Sequence, residues 1–412
     1  MRIQNRSLIT GATFTALGLV GMSYTFLGTS LPSVRSFLNI GIERAGMLTA
    51  FLQLGFAITN IVGGILSDRM RREKVLMAGC VCLGFAALLF GILPRYSFTL
   101  FVATCMGVGA GLILSSSNSL LVGLYPERKG GILNLHHVFF AVGSLTGPLI
   151  MGHLIASQIR WQYGFSGLGL FLFCLSLFFI FARTPKIVAR NKVSMDQVRN
   201  LLGQKDFIVL ILVCFLAIGA QFALLFFTVT YLKEAKGFSI GIASIALSIL
   251  LVFLGIGRLT CSWLSSRIQN SKIILALLSF FLITLIVAWK GEGWTSGIGL
   301  ILSGLACSGV FPSLLALTGT LFHEVTGTAL GILAMMSGLG GMSVCWATAL
   351  ISQRTSLAFG FIAFIISSMT SLVLFGVYYS HFLREEDGKR SSGNMGSSKT
   401  PNPKSKTKNN FQ

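Results

Sequence analysis

Apolar runs of roughly 20 residues, separated by short polar breaks, recur along most of this chain, and a run of about that length is what a helix needs to cross the ~30 Å hydrocarbon core of a bilayer. Apolar residues make up 53% of the chain and charged residues 11%, where a soluble domain carries about 25% charge. Surface of that kind cannot be solvated, so a large soluble helical protein is excluded. The runs predict twelve membrane spans, at 8–31, 43–66, 75–93, 97–124, 131–156, 163–182, 207–232, 239–264, 272–289, 296–321, 327–352 and 357–381. The stretch from Leu8 to Leu31 is too long for the apolar segment of a cleaved leader and reads as the first span.

The net charge of +20 invites a nucleic-acid reading, but its placement argues against one. Lys and Arg sit in the breaks and in the last thirty residues, not on a face interleaved with aromatics. Beside membrane spans, positive charge is an orientation signal. With the N-terminus inside, 23 Lys and Arg fall in inner segments and 8 in outer ones, Arg258 alone lying within a span. Both termini are therefore expected in the cytoplasm of a cell whose plasma membrane holds the protein. All eight cysteines lie in apolar segments and read as packing residues. Cys80 and Cys82 point to different helix faces, so no metal site is expected. Gly107-x-Gly109-x-Gly111 follows no strand, and no Walker lysine motif occurs, so neither ATP nor another cofactor is expected.

A charged turn divides the chain. Gly64-Ile65-Leu66-Ser67-Asp68-Arg69-Met70-Arg71-Arg72-Glu73-Lys74 joins two spans, and Ser262-Trp263-Leu264-Ser265-Ser266-Arg267 with Lys272 repeats it 198 residues later. A hairpin repeated at half-length predicts an all-α polytopic fold of two pseudo-symmetric six-helix bundles. The predicted parts are residues 1–182 and 207–382 as bundles, 183–206 as a polar cytoplasmic linker, and 383–412 as a basic tail too polar to fold.

The first turn, with Gly64, Leu66, Asp68, Arg69, Arg72 and Lys74, resembles the signature loop of the major facilitator superfamily. It departs at Arg71, where that family usually has Gly, and at Glu73. The fifth span, with Asn134, His137 and Phe140 ahead of Gly143, Gly147 and Pro148, is similar to fucose permease-like and related sugar transporters, as is Gly309-Val310-Phe311-Pro312-Ser313 in the tenth. In the fourth span Ala103 stands where proton-coupled drug antiporters carry Arg. The resemblance covers about residues 8 to 382. It implies a transporter rather than an enzyme, working by rocking two bundles about a central site lined by spans one, four, seven and ten.

The candidate site residues follow from burial cost. No Asp or Glu lies at mid-membrane, where a charge costs about 2.5–3.5 kcal/mol on insertion scales. Coupling to an ion, a proton or sodium, then uses a histidine, His136 or His137, or a carboxylate near an interface, or is absent. Only one of two adjacent histidines can face a cavity, since neighbours on a helix are about 100° apart. The alternative is a neutral histidine in a helix interface. Amides in lipid need partners, so Gln53, Asn118 and Gln221, with Tyr24, are substrate-binding candidates or interhelical contacts. Arg258, in the eighth span, could hold an anion or bond backbone carbonyls. Asp68, Arg69 and Arg72 are expected to gate, and the family resemblance implies that Asp68 faces the start of span eleven near Gly327 in one access state. Amides without carboxylates suit a small neutral polar solute, sugar-like. Three alternatives stand beside it: an organic anion held by Arg258 or a protonated histidine, export of a hydrophobic compound or lipid, and a membrane sensor that transports nothing. The expected state is a monomer in the lipid bilayer, binding a small molecule.

Overall fold

The computed structural model describes residues 5–125, 129–182, 195–265, 267–322 and 325–397. In chain order the helices are α1 (Arg6–Leu38), α2 (Ile42–Arg69), α3 (Arg72–Leu89), α4 (Tyr96–Leu124), α5 (Lys129–Ala156), α6 (Gln162–Phe181), α7 (Met195–Leu202), α8 (Lys205–Glu234), α9 (Ile240–Ser265), α10 (Asn270–Lys290), α11 (Trp294–Cys307), α12 (Val310–Leu321), α13 (Thr326–Arg354), α14 (Leu357–Gly360) and α15 (Ile362–Ser397). Among the described residues, eleven segments are long and apolar enough to cross a membrane. The twelfth span is α3, whose 18 residues open on Arg72, Glu73 and Lys74 and pack against α4 and α6.

Three particulars differ from the sequence expectation. Span ten is two helices, α11 and α12, interrupted at Ser308 and Gly309. Pro312 has no N–H to donate to the Ser308 carbonyl, so the ladder stops and restarts with Pro312 in the first turn, where proline is tolerated. The linker holds a helix, α7, whose Leu201 is buried in one core with Phe207; the expected linker residues 183–194 lie outside the described residues. Helix α15 continues past residue 382 to Ser397, so the tail expected to be disordered from 383 begins as helix, and residues 398–412 lie outside the description. Glu386 anchors the first turn beyond 382. Its carboxylate is buried and accepts from Asn270 N (2.9 Å), Asn270 Nδ2 (3.1 Å), Ser271 N (3.1 Å) and Ser271 Oγ (2.8 Å). It thereby caps the positive end of α10. Glu386→Ala leaves those donors unpaired and is expected to cost about 2–4 kcal/mol, read as a lower melting temperature.

The pairing within the two halves is alike. In the first, α1 packs on α5, α2 on α4, and α3 on α4 and α6; in the second, α8 packs on α13, α9 on α11, and α10 on α11 and α15. The close crossings also recur. A Cβ on Gly143 would lie 1.7 Å from the Gly18 carbonyl oxygen, and one on Gly340 would lie 1.9 Å from that of Phe215, so only glycine lets these backbones touch.

The core shows how the halves meet. One buried cluster joins the first half to the far ends of α8, α9, α10, α11 and α13, at Leu224, Leu247, Leu285, Leu300 and Val344, for example. A second cluster, with Leu210, Leu278, Leu314 and Leu333, fills the end of the second half nearest the chain termini and stays separate. The halves therefore share a core on the side away from the termini and part on the terminus side.

Candidate functional site

The seam between α2 and α13 runs from the closed side to the open one. A Cβ on Gly46 would lie 2.0 Å from Ala349 Cβ; on Gly341, 2.4 Å from Gln53 Nε2; on Gly338, 2.8 Å from Ala57 Cβ. Further toward the termini, a Cβ on Gly64 or on Gly331 meets nothing within 4 Å, and Ile61 and Ile65 are exposed. On the far side Arg35 Nη1 pairs with Glu234 across α1 and α8, and Gln353 Oε1 of α13 lies 3.5 Å from the Glu43 amide in the first turn of α2. The far side is latched and the terminus side is open. The ion pair is 24% and 33% exposed at its two side chains, which limits it to about 0.2–1 kcal/mol. Arg35→Ala is therefore expected to shift the access equilibrium by at most about fivefold toward far-side opening. Cysteine accessibility on that side measures it, and the charge-reversed pair Arg35→Glu with Glu234→Arg should restore the latch.

Where the latch gives way to the cleft, polar groups collect inside a ring of aromatics. The Tyr24 ring of α1 packs against Phe56 (6.0 Å between centroids), Phe140 (6.4 Å), Phe222 (6.2 Å) and Phe226 (5.7 Å), which come from α2, α5 and α8. Tyr24 Oη is buried without a hydrogen-bond partner among the described residues, as are both amide atoms of Gln53 and the side-chain carbonyl of Gln221. Gln53 is fully buried, and Gly341, which faces it, also faces Phe222. Gln221 precedes Phe222 on α8, and its side chain is nearly closed off. Leaving a buried polar atom without a partner costs about 1–3 kcal/mol, and those on Tyr24, Gln53 and Gln221 remain available to a guest.

The other sequence candidates separate. In α4 the hydroxyls of Ser115, Ser116 and Ser117 donate to carbonyls of their own helix, and only Asn118 reaches out. Its Oδ1 accepts from His136 Nδ1 at 3.2 Å, and the His136 ring stacks on Phe14 at 5.7 Å. His136 is buried in the α1–α4–α5 packing, whereas His137 is exposed toward the cleft. Arg258 of α9 is half-buried, its Nε without a partner. Of the expected gate, Arg69 is exposed at the end of α2 and Arg72 Nη1 donates to Ser119 O of α4 at 2.8 Å; the Asp68 side chain lies outside the description. Of the four phenylalanines around Tyr24, sequence reasoning singled out Phe140 and missed Phe56, Phe222 and Phe226. A separate apolar groove of about 520 Å³ between α1, α5 and α6, lined by Phe139, Val142, Ile150 and Phe171, opens on the outer, lipid-facing surface.

With this geometry in view, the comparisons place the chain. The profile of the Major Facilitator Superfamily matches residues 13–343. A TsgA homolog of Serratia proteamaculans is 25% identical over 185 residues, 43% of this chain and 46% of that protein. The uncharacterized transporter YycB of Bacillus subtilis is 32% identical over 152 residues, 35% of this chain and 36% of that one. The matched regions thus span under half the length of these relatives. Among solved structures, a D-xylose–proton symporter superposes with a TM-score of 0.74 at 16% identity, over 92% of this chain and 98% of that one. The transporter FucP in its outward conformation gives 0.65 at 17%, over 90% and 99%. The nucleoside transporter NupG gives 0.70 at 15%, over 92% and 99%. At these identities the likeness is one of fold, and with the profile match over most of its length the chain belongs to the Major Facilitator Superfamily, as an integral membrane protein.

Proposed function

We propose that the protein carries a small polyhydroxylated, sugar-like solute by alternating access, residues 1–182 and 207–382 rocking as two bundles on the linker 183–206. The observation that carries this reading is the set of partnerless polar atoms on Tyr24, Gln53 and Gln221 within the phenylalanine ring. A phenol and two amides both donate and accept, as a polyol requires, and aromatic faces cover the C–H faces of a sugar ring. The xylose symporter and NupG carry a sugar and a nucleoside by name, both ring-bearing polyols. The Lys and Arg distribution supports the termini, and so the open side, facing the cytoplasm at the plasma membrane. In the opposite state α2 and α13 close on that side, bringing Asp68 with Arg69 and Arg72 to the start of α13 as a gate. His137, on the cleft, is the group placed to couple a proton; His136 is held by Asn118.

The test is a thermal-shift screen of the purified protein against aldoses, nucleosides, amino acids and apolar amines, followed by counterflow in proteoliposomes. Polyols should stabilise the protein and exchange. Stabilisation by apolar amines alone would refute the reading. Proton coupling is read from external pH when a transported solute is added, and an unchanged pH would remove His137 from that role.

A further inference from the structure

The α5–α9 seam has a register that can be followed inward. Near the closed side a Cβ on Gly152 would lie 2.4 Å from Ser244 Cβ, and further in Ser248 Oγ donates to Leu145 O at 3.1 Å. The helices are antiparallel, so the same helical faces continue through Ala141 and His137 on α5 and through Leu251, Gly255 and Arg258 on α9. There the seam is open: a Cβ on Gly255 meets nothing within 4 Å. The register sets His137 and Arg258 opposite each other across it.

Arg258 is not a snorkelling surface arginine. The lipid-facing stripe of α9 is Ile245, Ile249, Val252, Ile256 and Leu259, all exposed, and Arg258 lies off it. Its guanidinium makes no hydrogen bond or ion pair among the described residues, and its Nε is buried. No Asp or Glu occurs in α5, α9, α11 or α12. Unlike lysine or histidine, an arginine cannot shed its proton to escape such a site, so the sequence retains in the membrane a cation that the described residues leave uncompensated. Phe140, which packs on Tyr24, is one turn along α5 from His137, so His137 stands about 5 Å along the helix axis toward the termini from that contact.

We propose that Arg258, with His137 across the seam, binds a carboxylate, and that the solute is a hydroxylated carboxylic acid, a sugar acid rather than a neutral sugar. The hydroxyls occupy the Tyr24, Gln53 and Gln221 cluster and the carboxylate takes the guanidinium fork in two parallel hydrogen bonds. This rests on the polyol reading above and specifies its charge.

The experiment uses the full-length protein in nanodiscs, with binding measured for a panel of uronic and aldonic acids, their neutral aldoses, inorganic phosphate and chloride. The variants are Arg258→Gln, Arg258→Lys and Gln53→Leu. At least one acid is expected to bind about tenfold or more tightly than its aldose. Arg258→Gln should erase that preference without lowering the melting temperature of the unliganded protein, and Arg258→Lys should keep part of it. Should Arg258→Gln fail to fold, the wild-type ratio of acid to aldose and the lysine variant decide. Aldoses binding as well as acids, with Arg258→Gln unaffected, would overturn the carboxylate site and leave the polyol reading intact. Acids lost in Arg258→Gln but bound normally by Gln53→Leu would keep the carboxylate site and overturn the polyol. Stabilisation by phosphate or chloride alone would assign the site to an inorganic anion and overturn the sugar acid.

Discussion

Gln53→Leu is expected to raise the melting temperature while stopping transport. The side chain is wholly buried between α2 and α13, and neither its Oε1 nor its Nε2 has a partner among the described residues. Each such atom costs about 1–3 kcal/mol in the empty protein. Leucine, close in volume, removes that cost and fills the same space against Phe222 and Gly341. A gain of about 1–3 kcal/mol in stability should accompany a loss of transport of about a hundredfold or more, since a solute that pairs with the amide loses both of its contacts. Melting curves and counterflow on the same preparation check both signs. A destabilised variant that still transports would make Gln53 an interhelical contact and nothing more.

Gly143→Val should have the largest effect on folding. The new Cβ would fall 1.7 Å from the Gly18 oxygen and 2.5 Å from its carbonyl carbon. Both are backbone atoms inside a helix and cannot rotate aside, so α1 and α5 must separate. Separation also opens the neighbouring contacts, where Gly21 faces Phe140 and Ser144 and Gly147 faces Thr25. A cost of about 3 kcal/mol or more is expected, seen as loss of monodisperse protein on size-exclusion chromatography. Gly11→Ala is the control. It lies on α1 with nothing within 4 Å of the new Cβ, and should be neutral or stabilising by about 0.5–1 kcal/mol.

Much of this arrangement could be read from the chain, for identifiable reasons. Span length and the 198-residue repeat of the charged turn are local patterns, and the bilayer leaves them one solution. Gln53, Gln221 and Arg258 stood out because a polar group in an apolar run is expensive wherever the run goes. Phe56, Phe222 and Phe226 around Tyr24 did not, because in a chain with 34 phenylalanines nothing local separates those that meet on one tyrosine from those that face lipid. The Asn118–His136 bond was hidden for a related reason: each residue was legible, but their pairing depends on how α4 and α5 cross. Glu386 misled most. In a run of charged and small polar residues a carboxylate looks solvated, and only the approach of the α10 N-terminus makes it a buried cap. The Arg35–Glu234 latch joins residues 199 apart in sequence and belongs to one access state, which no local pattern records.

The most direct test of the rocking mechanism is a pair of distance measurements by double electron–electron resonance. Spin labels at positions 64 and 331 report the terminus side of the α2–α13 seam, and labels at 43 and 353 report the far side. Without solute, the far-side distance should be short and narrow and the terminus-side distance long. Adding a transported solute, or breaking the latch with Arg35→Ala, should shorten the second while lengthening the first. Two distances that stay fixed, or that lengthen and shorten together, would contradict two bundles pivoting about a shared central site.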